Sequence, residues 1–464
     1  MKCNPLLAGV FALQATAFPF VLMERAVEGM KEAANQHEER QIGGLVPANN
    51  PASAAAVQFS KSRSNCGIVP CTGFDPSPAT ACPLGVCSPG QLVSTTGDHA
   101  YASPLPNEIR GPCPGLNAAA NHAYIPRSGV LSITQTIEGL AWAYNFGPDF
   151  SAFLAAYAVL TDGDPIAGTW SIGGPYQRAS ILEGTPQGIS YSHNIYEADV
   201  SIGRADAYIS SKYGLAPGDA HSLVISRFQS AYDATNLKVN GVGPADRYTL
   251  DAFAQNFGSK LNESIATNPY FFSAPFAGLV APAAYNFVIN FLAHCVLDSS
   301  MADFEFKKFF AVSGNSGNFK WNRGQERIPD NWYKRTSTNQ YDAAEGVADV
   351  VAQYLAYPYE AKFGGNTGRV NTFTGLDLGN TFTSGNPGNL LEGNNLQCFF
   401  FNAAQAGIPD FAGDVLNAAN AIVAKYISSV PAFAGCPQLG SFNQGVFSKY
   451  PGAKYQPNGP AQNY

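Results

Sequence analysis

Charged side chains are scarce in this sequence. Asp, Glu, Lys and Arg make up 13% of its 464 residues, and the formal net charge is −7. The 27 Lys and Arg residues form no cluster, so the sequence predicts no nucleic-acid partner. Residues 276–293 are uncharged, but Pro282, Asn286 and Asn290 favour a core helix there over a membrane span. We therefore expect no membrane span in the mature chain.

Strand signals are also sparse, and no internal repeat is visible. The 46 Gly, 32 Pro and 12% aromatic residues are typical of a compact, loop-rich chain, neither disordered nor coiled coil. The length suits one large domain or two modest ones. Apolar residues recur at helical spacing after residue 110. The helices predicted are 116–124, 130–146, 149–160, 197–213, 219–236, 248–265, 283–297, 341–355 and 409–428, and the candidate strands are 168–173 and 319–321.

Residues 1–17 have the parts of a secretory signal peptide. Lys2 supplies the positive start, residues 6–13 form an apolar core, and Ala15-Thr16-Ala17 is a small-x-small cleavage site. A short anchoring helix is the alternative. We expect a secreted, extracellular protein, and export would permit disulfide bonds.

Nine cysteines occur, four of them close together. This cluster consists of Cys66, Cys71, Cys82 and Cys87. Four cysteines could hold zinc, but the spacings are not Cys-x-x-Cys. In an exported chain two disulfides are favoured, and their connectivity cannot be read from the sequence.

One cysteine stands between two prolines at the start of a predicted helix. The run is Gly111-Pro112-Cys113-Pro114-Gly115-Leu116-Asn117-Ala118-Ala119-Ala120-Asn121-His122-Ala123-Tyr124-Ile125-Pro126. Pro114 suits the first helical turn, and Pro126 ends the helix. Cys113 would lie at the positive end of the helix dipole, where the pKa of a thiol is lowered. A thiolate so placed can be a nucleophile, a disulfide half or a metal ligand.

This run resembles the proximal motif of the heme-thiolate peroxidases, the family of the fungal chloroperoxidases and unspecific peroxygenases. That motif is Pro-Cys-Pro followed by Leu-Asn-x-x-Ala-Asn-His-x-Tyr-x-Pro. The resemblance implies that Cys113 is the axial thiolate ligand of the iron of haem b, where electron donation from sulfur favours O–O cleavage. From the residues alone, a buried or disulfide-bonded Cys113 is the alternative.

The resemblance extends from about residue 97 to 440 and implies the domain organisation. A peroxidase domain at 97–440 would follow the signal peptide and an extension at 18–96, which contains the cysteine cluster. A tail at 441–464 would end the chain. Some peroxygenases close their C-terminal lobe with a disulfide, which implies a Cys398–Cys436 pair. Cys295 would then be a buried free thiol, and Cys113 would stay unpaired.

A second informative motif spans His193 to Arg204. Glu197 and Ser201 are four residues apart, so they would share one face of a helix. A carboxylate, a hydroxyl and a free carbonyl suit Mg²⁺ or Mn²⁺, although a solvated helix N-terminus is the alternative. The motif resembles the family's Glu-x-Asp-x-Ser-x-x-Arg. That resemblance implies that Glu197, the carbonyl of Ala198 and Ser201 hold a cation beside a haem propionate.

The expected distal acid–base pair is missing. Peroxygenases carry a glutamate just before Ala-Ala-Tyr and an arginine seven residues earlier. The matching positions here are Pro282 and Pro275, and residues 271–292 contain no Asp, Glu, Lys or Arg. Because peroxide cleavage on haem needs a group that moves a proton, the resemblance implies a divergent member of the family.

Other residues near the motifs offer no replacement for this pair. Chloroperoxidases have a distal histidine at the position of Ala198, and alanine cannot transfer a proton. His193, one turn upstream, is interpreted as structural. Phe271, Phe272 and Phe276 are expected either to line an apolar distal pocket or to be ordinary core aromatics. The catalytic residues therefore stay unidentified at the sequence level.

Taken together, these features predict an all-α protein with few short strands, in which one large helical domain encloses haem. The expected activity is that of a secreted peroxidase or peroxygenase that oxidises small apolar molecules with hydrogen peroxide. Two alternatives stay open. One is a thiolate-haem isomerase or dehydratase of a secondary pathway, and the other is a haem-binding protein without peroxide turnover. Cys113 as the nucleophile of an enzyme without haem would give a colourless protein.

Overall fold

Helices dominate the structure, as expected for the all-α class. It is a computed structural model that describes residues 91–177, 186–236, 247–293, 300–335, 340–376 and 447–454. The helices are α1 (Pro114–Asn121), α2 (Ile133–Tyr144), α3 (Pro148–Asp162), α4 (Ile225–Tyr232), α5 (Leu250–Thr267), α6 (Ala277–Leu292), α7 (Asp303–Phe309) and α8 (Ala343–Ala356). Single 3₁₀ turns or short 3₁₀ helices occur at Gly97–His99, Ile189–Tyr191, Ala207–Tyr213, Asp233–Asn236, Pro358–Glu360 and Pro451–Lys454.

The strands are two or three residues long and pair only in small antiparallel sheets within the described segments. They are β1 (Val130–Ser132), β2 (Thr169–Ser171), β3 (Arg247–Thr249), β4 (Phe272–Ser273), β5 (Ser300–Ala302), β6 (Val312–Ser313), β7 (Lys320–Trp321), β8 (Gly364–Gly365) and β9 (Thr374–Gly375). The pairs are β1–β2, β3–β5 and β6–β7, and β8 lies between β4 and β9. Both candidate strand segments contain an observed strand.

Local sequence signals explain where several helices begin. Pro114 and Pro148 occupy the first turns of α1 and α3, where a missing N–H costs nothing. Ser132 caps α2 in a capping box, because its side chain accepts from the Gln135 amide while the Gln135 side chain accepts from the Ser132 amide. Asp342 caps α8 by accepting from the Glu345 amide.

Helix α6 lies at the centre of the fold and contacts α1, α5, α7 and α8. It contains Pro282, which has no N–H for the carbonyl of Gly278. The Tyr354 hydroxyl of α8 donates to that carbonyl over 3.0 Å instead. A side chain from a neighbouring helix thus replaces the missing helical hydrogen bond.

The helix predicted at 197–213 is wrong. Residues 197–206 form turns and extended backbone, and only Ala207–Tyr213 is helical, as a 3₁₀ helix. Two buried carboxylates take the backbone donors of this segment: Asp199 accepts from the Ala207 amide and Asp206 from the Val200 amide. Such local side-chain hydrogen bonds compete with helix formation.

Two other boundaries also differ from the prediction. In 219–236 the α-helix is limited to α4, because Asp219 accepts from the amides of His221 and Ser222 and holds the preceding loop. The predicted helix at 283–297 begins earlier, at Ala277, because α6 continues through Pro282. A proline is a common but not obligatory helix boundary.

Several predictions fall wholly or partly outside the described residues. The signal peptide 1–17, the four-cysteine cluster, Cys295, the Cys398–Cys436 pair and the helix at 409–428 all lie there. Of the predicted extension and tail, residues 91–96 and 447–454 are described, and both pack on the domain. Val93 donates to the carbonyl of Trp332, and Tyr450 is buried against Phe272. No helix among the described residues is long and apolar enough to cross a membrane.

Candidate functional site: a cysteine at the edge of an apolar cavity

Cys113 is the N-cap residue of α1, as the Pro-Cys-Pro run predicted. Its backbone carbonyl accepts from the Asn117 amide over 3.1 Å, and the backbone amides of Gly115 and Leu116 lie close enough to its sulfur to favour the thiolate. Cys113 is the free cysteine of the described segments. The protein encloses this side chain except where it borders an internal cavity, which leaves the sulfur partly accessible.

The expected effect on the thiol pKa is wrong in direction. Burial raises the pKa of Cys113 and outweighs the two amides and the charge of Arg204, which all lower it. Without a metal, the thiol is therefore protonated near neutral pH. A coordinating metal ion deprotonates such a thiol outright, so the enclosed setting is compatible with a thiolate ligand.

The first asparagine of the motif holds the chain that leads into Cys113. Asn117 is 1% exposed; its side-chain amide donates to the carbonyl of Gly111, and the Gly111 amide donates back to Asn117 Oδ1, both over 2.9 Å. Only glycine fits at 111, because a Cβ there would lie 1.9 Å from the carbonyl oxygen of Ile172. The Tyr144 hydroxyl donates to the Gly115 carbonyl on the other side of Cys113.

The second asparagine ties α1 to the loop at 324–326. Asn121 is fully buried; its Nδ2 donates to the carbonyls of Gly324 and Glu326, and its Oδ1 accepts from Arg110 Nε. The next residue, His122, donates through Nδ1 to the carbonyl of His99 over 2.7 Å, and His99 Nδ1 donates to the carbonyl of His122 over 2.9 Å. The polar residues of the motif therefore hold the helix that carries Cys113 in place through hydrogen bonds to neighbouring backbone groups.

An apolar cavity of about 240 Å³ opens beside Cys113. Its walls come from the start of α1, from α2 and α3, from the loop around 196–204 and from one face of α6. The α6 residues that face it include Val280, Ala281, Ala284 and Val288. The surroundings are those of an apolar ligand site with a few convergent polar groups.

The structure brings Cys113, Glu197, Ala198 and Ser201 to the walls of this one cavity. Glu197 is 9% exposed; its Oε2 accepts from His193 Nδ1 over 2.8 Å, and its Oε1 has no hydrogen-bond partner within the described segments. Ser201 Oγ accepts from the Gly203 and Arg204 amides. Glu197 and Ser201 line the same cavity from a non-helical segment rather than from a shared helix face.

His193 is paired with carboxylates, in agreement with its structural interpretation. Burial by itself would lower the pKa of His193, but Glu197 and Asp199 raise it to about 9. The imidazolium therefore pairs with Glu197 at neutral pH. Asp199 lies 3.8 Å from His193 Nε2, and its second oxygen accepts from Asn268. No group of three or more His, Cys, Asp or Glu suited to a metal occurs among the described residues.

Arg204 joins the two motifs directly, a role that the sequence did not assign to it. Its Nε and Nη2 donate to the carbonyl of Pro112 over 3.2 and 2.9 Å. Arg204 is buried, lines the cavity, and its Nη1 lacks a partner in the part of the chain that the structure describes. Its position as the last residue of the Glu-x-Asp-x-Ser-x-x-Arg pattern was the available signal.

None of the three phenylalanines at 271, 272 and 276 lines the main cavity. Phe276 packs on Phe153 and Tyr157 as a core aromatic, while Phe271 and Phe272 line a smaller neighbouring cavity. Pro282 also does not face the cavity, so the side chains that matter on α6 are its neighbours.

The residues around the cavity fit a haem. A partly accessible sulfur lies at one wall, the remaining walls are largely apolar, and two buried polar atoms, Glu197 Oε1 and Arg204 Nη1, are without partners within the described residues. A porphyrin has these needs: an axial ligand, apolar faces and charged groups near its edge.

Comparison with known proteins supports the same conclusion. The sequence profile of the family described as Peroxidase, family 2 matches residues 99–337. The chain is 38% identical over 388 residues to "Dothistromin biosynthesis peroxidase dotB" of Dothistroma septosporum, covering 80% of this chain and 88% of that protein. It is 33% identical over 389 residues to "Aromatic peroxidase fscJ" of Fusarium equiseti, covering 78% and 85%. An "Aromatic peroxygenase" of Cyclocybe aegerita is 28% identical over 279 residues, covering 60% and 66%.

The fold, the cysteine site and these relatives define a haem-dependent oxidoreductase of the peroxidase and peroxygenase class. The chain belongs to the heme-thiolate peroxidase family.

We predict that Asn117→Ala destabilises the protein and weakens haem uptake. The change leaves the amide and carbonyl of Gly111 without their partners in a buried setting, which should cost about 2–4 kcal/mol of unfolding free energy. Urea denaturation and haem titration measure the two effects. Asn286→Ala is the matched control, because Asn286 is equally buried but makes no hydrogen bond among the described residues. Equal losses of stability and haem uptake in both variants would contradict the role of Asn117 in holding Gly111.

Proposed function

We propose that this protein is a secreted heme-thiolate peroxidase or peroxygenase that uses hydrogen peroxide to oxidise small apolar, aromatic molecules. The observation that carries the proposal is the free thiol of Cys113 at the wall of an apolar cavity. Its position at the N-cap of α1, held by Asn117 and Arg204, suits a fixed axial ligand. When bound, haem supplies the capacity to cleave a peroxide and to oxidise a substrate.

The character of the cavity supports an apolar substrate. Its lining includes aromatic side chains from several elements, among them Phe146, Tyr196, Phe287 and Phe291. Such walls exclude water and favour flat apolar molecules over sugars or ions. The printed names of the relatives, an aromatic peroxidase and a peroxidase of dothistromin biosynthesis, point to the same substrate class and to a secondary pathway.

We predict that Cys113→Ala abolishes both the thiolate signature and peroxide turnover. The haem-loaded wild type should give a strongly red-shifted Soret band with carbon monoxide, because a thiolate donates electron density to iron. It should also oxidise a small aromatic molecule with hydrogen peroxide. Cys295→Ala, which removes a different thiol, is the control and should keep both properties. A wild-type spectrum without the red-shifted band, or a variant that retains it, would contradict the proposal.

One observation favours a second candidate function. The α6 wall of the cavity carries no carboxylate, imidazole or ammonium group. A thiolate-haem isomerase or dehydratase needs little proton transfer at that wall, so it would tolerate this composition. A red-shifted Soret band without any turnover of peroxide or peracid would favour this candidate.

We also propose that Glu197, the carbonyl of Ala198 and Ser201 hold Mg²⁺ or Mn²⁺ at the cavity wall. Glu197 Oε1 is buried without a partner within the described residues, and hard oxygen donors suit either ion. The positive charge of the ion would offset a haem propionate.

Glu197→Gln should therefore lower the metal content of the purified protein from one ion towards none, as measured by elemental analysis after dialysis. The amide keeps the size of the side chain but removes its charge, so affinity for a divalent cation falls. Asp162→Asn is the matched control, because Asp162 is a buried carboxylate that does not line the cavity. A wild type without bound cation would refute the site.

Secretion is part of the proposal and rests on the signal peptide of residues 1–17. In a eukaryotic secretory host, the full chain should appear in the culture medium with residue 18 or a later residue as its new N-terminus. N-terminal sequencing checks this. Substituting Leu7 and Leu13 by Arg disrupts the apolar core and should keep the protein inside the cell. Retention of the wild-type chain, with Met1 uncleaved, would argue for the anchoring helix instead.

A further inference from the structure

The cavity needs a proton carrier that α6 does not provide, and this need rests on the proposed function, in which hydrogen peroxide is the oxidant. Tyr285 is the titratable α6 residue at the wall, and its hydroxyl donates to the carbonyl of Val200. Burial raises the pKa of Tyr285 well above its usual range, which makes it a poor acid. The proton carrier must therefore come from a residue outside α6.

A smaller cavity, here called the side chamber, adjoins the main one. Its volume is about 10 Å³, roughly the room that one water molecule needs. Four residues line both spaces: Ala198, Asp199, Val200 and Ala281. On α6, Ala281 lines both cavities and has only a methyl group as its side chain. Gly278, which has no side chain, lines the side chamber alone.

The side chamber lies toward the end of the main cavity that is remote from the cysteine. Leu292, at the C-terminal end of α6, packs against Gly115 beside Cys113. Ala281 is eleven residues earlier on the same helix, which corresponds to about 16 Å along the axis. The chamber therefore lies beside the end of the main cavity that is remote from the sulfur.

Glu360 lines the chamber and is 1% exposed. Its Oε2 accepts from Gln353 Nε2 over 2.8 Å. Its Oε1 makes no hydrogen bond in the described part of the chain, although the Tyr359 hydroxyl lies nearby. Burial raises the pKa of Glu360 well above its usual range, which favours the protonated form of the group. A carboxylic acid can donate from one oxygen while it accepts at the other.

The charges around Glu360 do not cancel this effect. Asp251 and Asp199 are carboxyl groups on neighbouring elements, and both have a raised pKa because they are buried. Tyr354 also faces the chamber, and burial raises its pKa too. Lys362 is the cation at the chamber, and it lies over the ring of Phe373 at 5.3 Å.

We propose that Glu360, acting through a water molecule in the side chamber, moves the proton that peroxide cleavage requires. The protonated carboxyl group would give its proton to the departing oxygen of hydrogen peroxide and regain one from the oxygen that is retained. The electron pair of the O–O bond leaves with the departing oxygen, which is released as water. No proton is consumed overall. Glu360 would thus take the role of the glutamate that peroxygenases carry at the position of Pro282.

The decisive experiment compares two oxidants in the haem-loaded full chain carrying Glu360→Gln. Glutamine keeps the size of the side chain but cannot transfer a proton. The value of kcat/KM for hydrogen peroxide should fall by about 10²-fold or more, which is the range of lost general acid–base catalysis. With meta-chloroperoxybenzoic acid the value should change little, because its carboxylate leaves without being protonated. The ratio of the two values is the readout that a merely structural role would not move.

Two further variants control this comparison. Asp251→Asn removes an equally buried carboxyl group that does not line the chamber, and it should leave the ratio at the wild-type value. Ala281→Glu, introduced into the Glu360→Gln protein, puts a carboxyl group on the shared wall. It should restore a large part of the peroxide rate.

The outcomes separate the two proposals. Equal losses with both oxidants, or an unchanged rate with hydrogen peroxide, would overturn the role of Glu360 while the peroxidase activity of the wild type stands. A wild type that is inactive with both oxidants would overturn the proposed function itself, and the relay with it. An unchanged carbon monoxide spectrum in Glu360→Gln shows that the haem site is intact.

Discussion

The contact on which the site depends is the pair of hydrogen bonds from Arg204 to the carbonyl of Pro112. It joins two segments that are ninety-two residues apart in the chain and forms the corner where the Cys113 loop meets the Glu197 loop. The guanidinium is fully buried, so this charge-assisted contact is worth more than a surface one. Without it, the loop that carries Cys113 and the loop that carries the candidate cation ligands would lose this direct contact.

The Cys113 side of the site could be predicted because its signals are local. Proline at the first helical position, an apolar stretch and a terminating proline are sufficient to place Cys113 at the N-cap of α1. The protonation state of the thiol was not predictable in the same way. Its pKa depends on how much of the fold encloses the sulfur, which is a property of residues far away in the sequence.

The Glu197 side shows the opposite case. The four-residue spacing of Glu197 and Ser201 indicates a helix, but Asp199 and Asp206 bind backbone amides and share Asn268 as a side-chain partner. Spacing cannot reveal that competition. The predicted ligands still line one cavity, although the segment that carries them is not helical. Likewise, the sequence could not predict which face of α6 lines the cavity, because the helix carries no charged residue that would distinguish one face from another.

The buried, protonated state of Cys113 also bears on the disulfide bonds that the sequence leads us to expect. Exchange reactions begin with attack by a thiolate on a disulfide sulfur, so a thiol that keeps its proton and is surrounded by protein is a slow participant. Once α1 has folded over it, Cys113 is therefore withheld from mispairing with the other cysteines of the chain. The same burial that raises the thiol pKa would keep the sulfur of Cys113 unoxidised until haem binds.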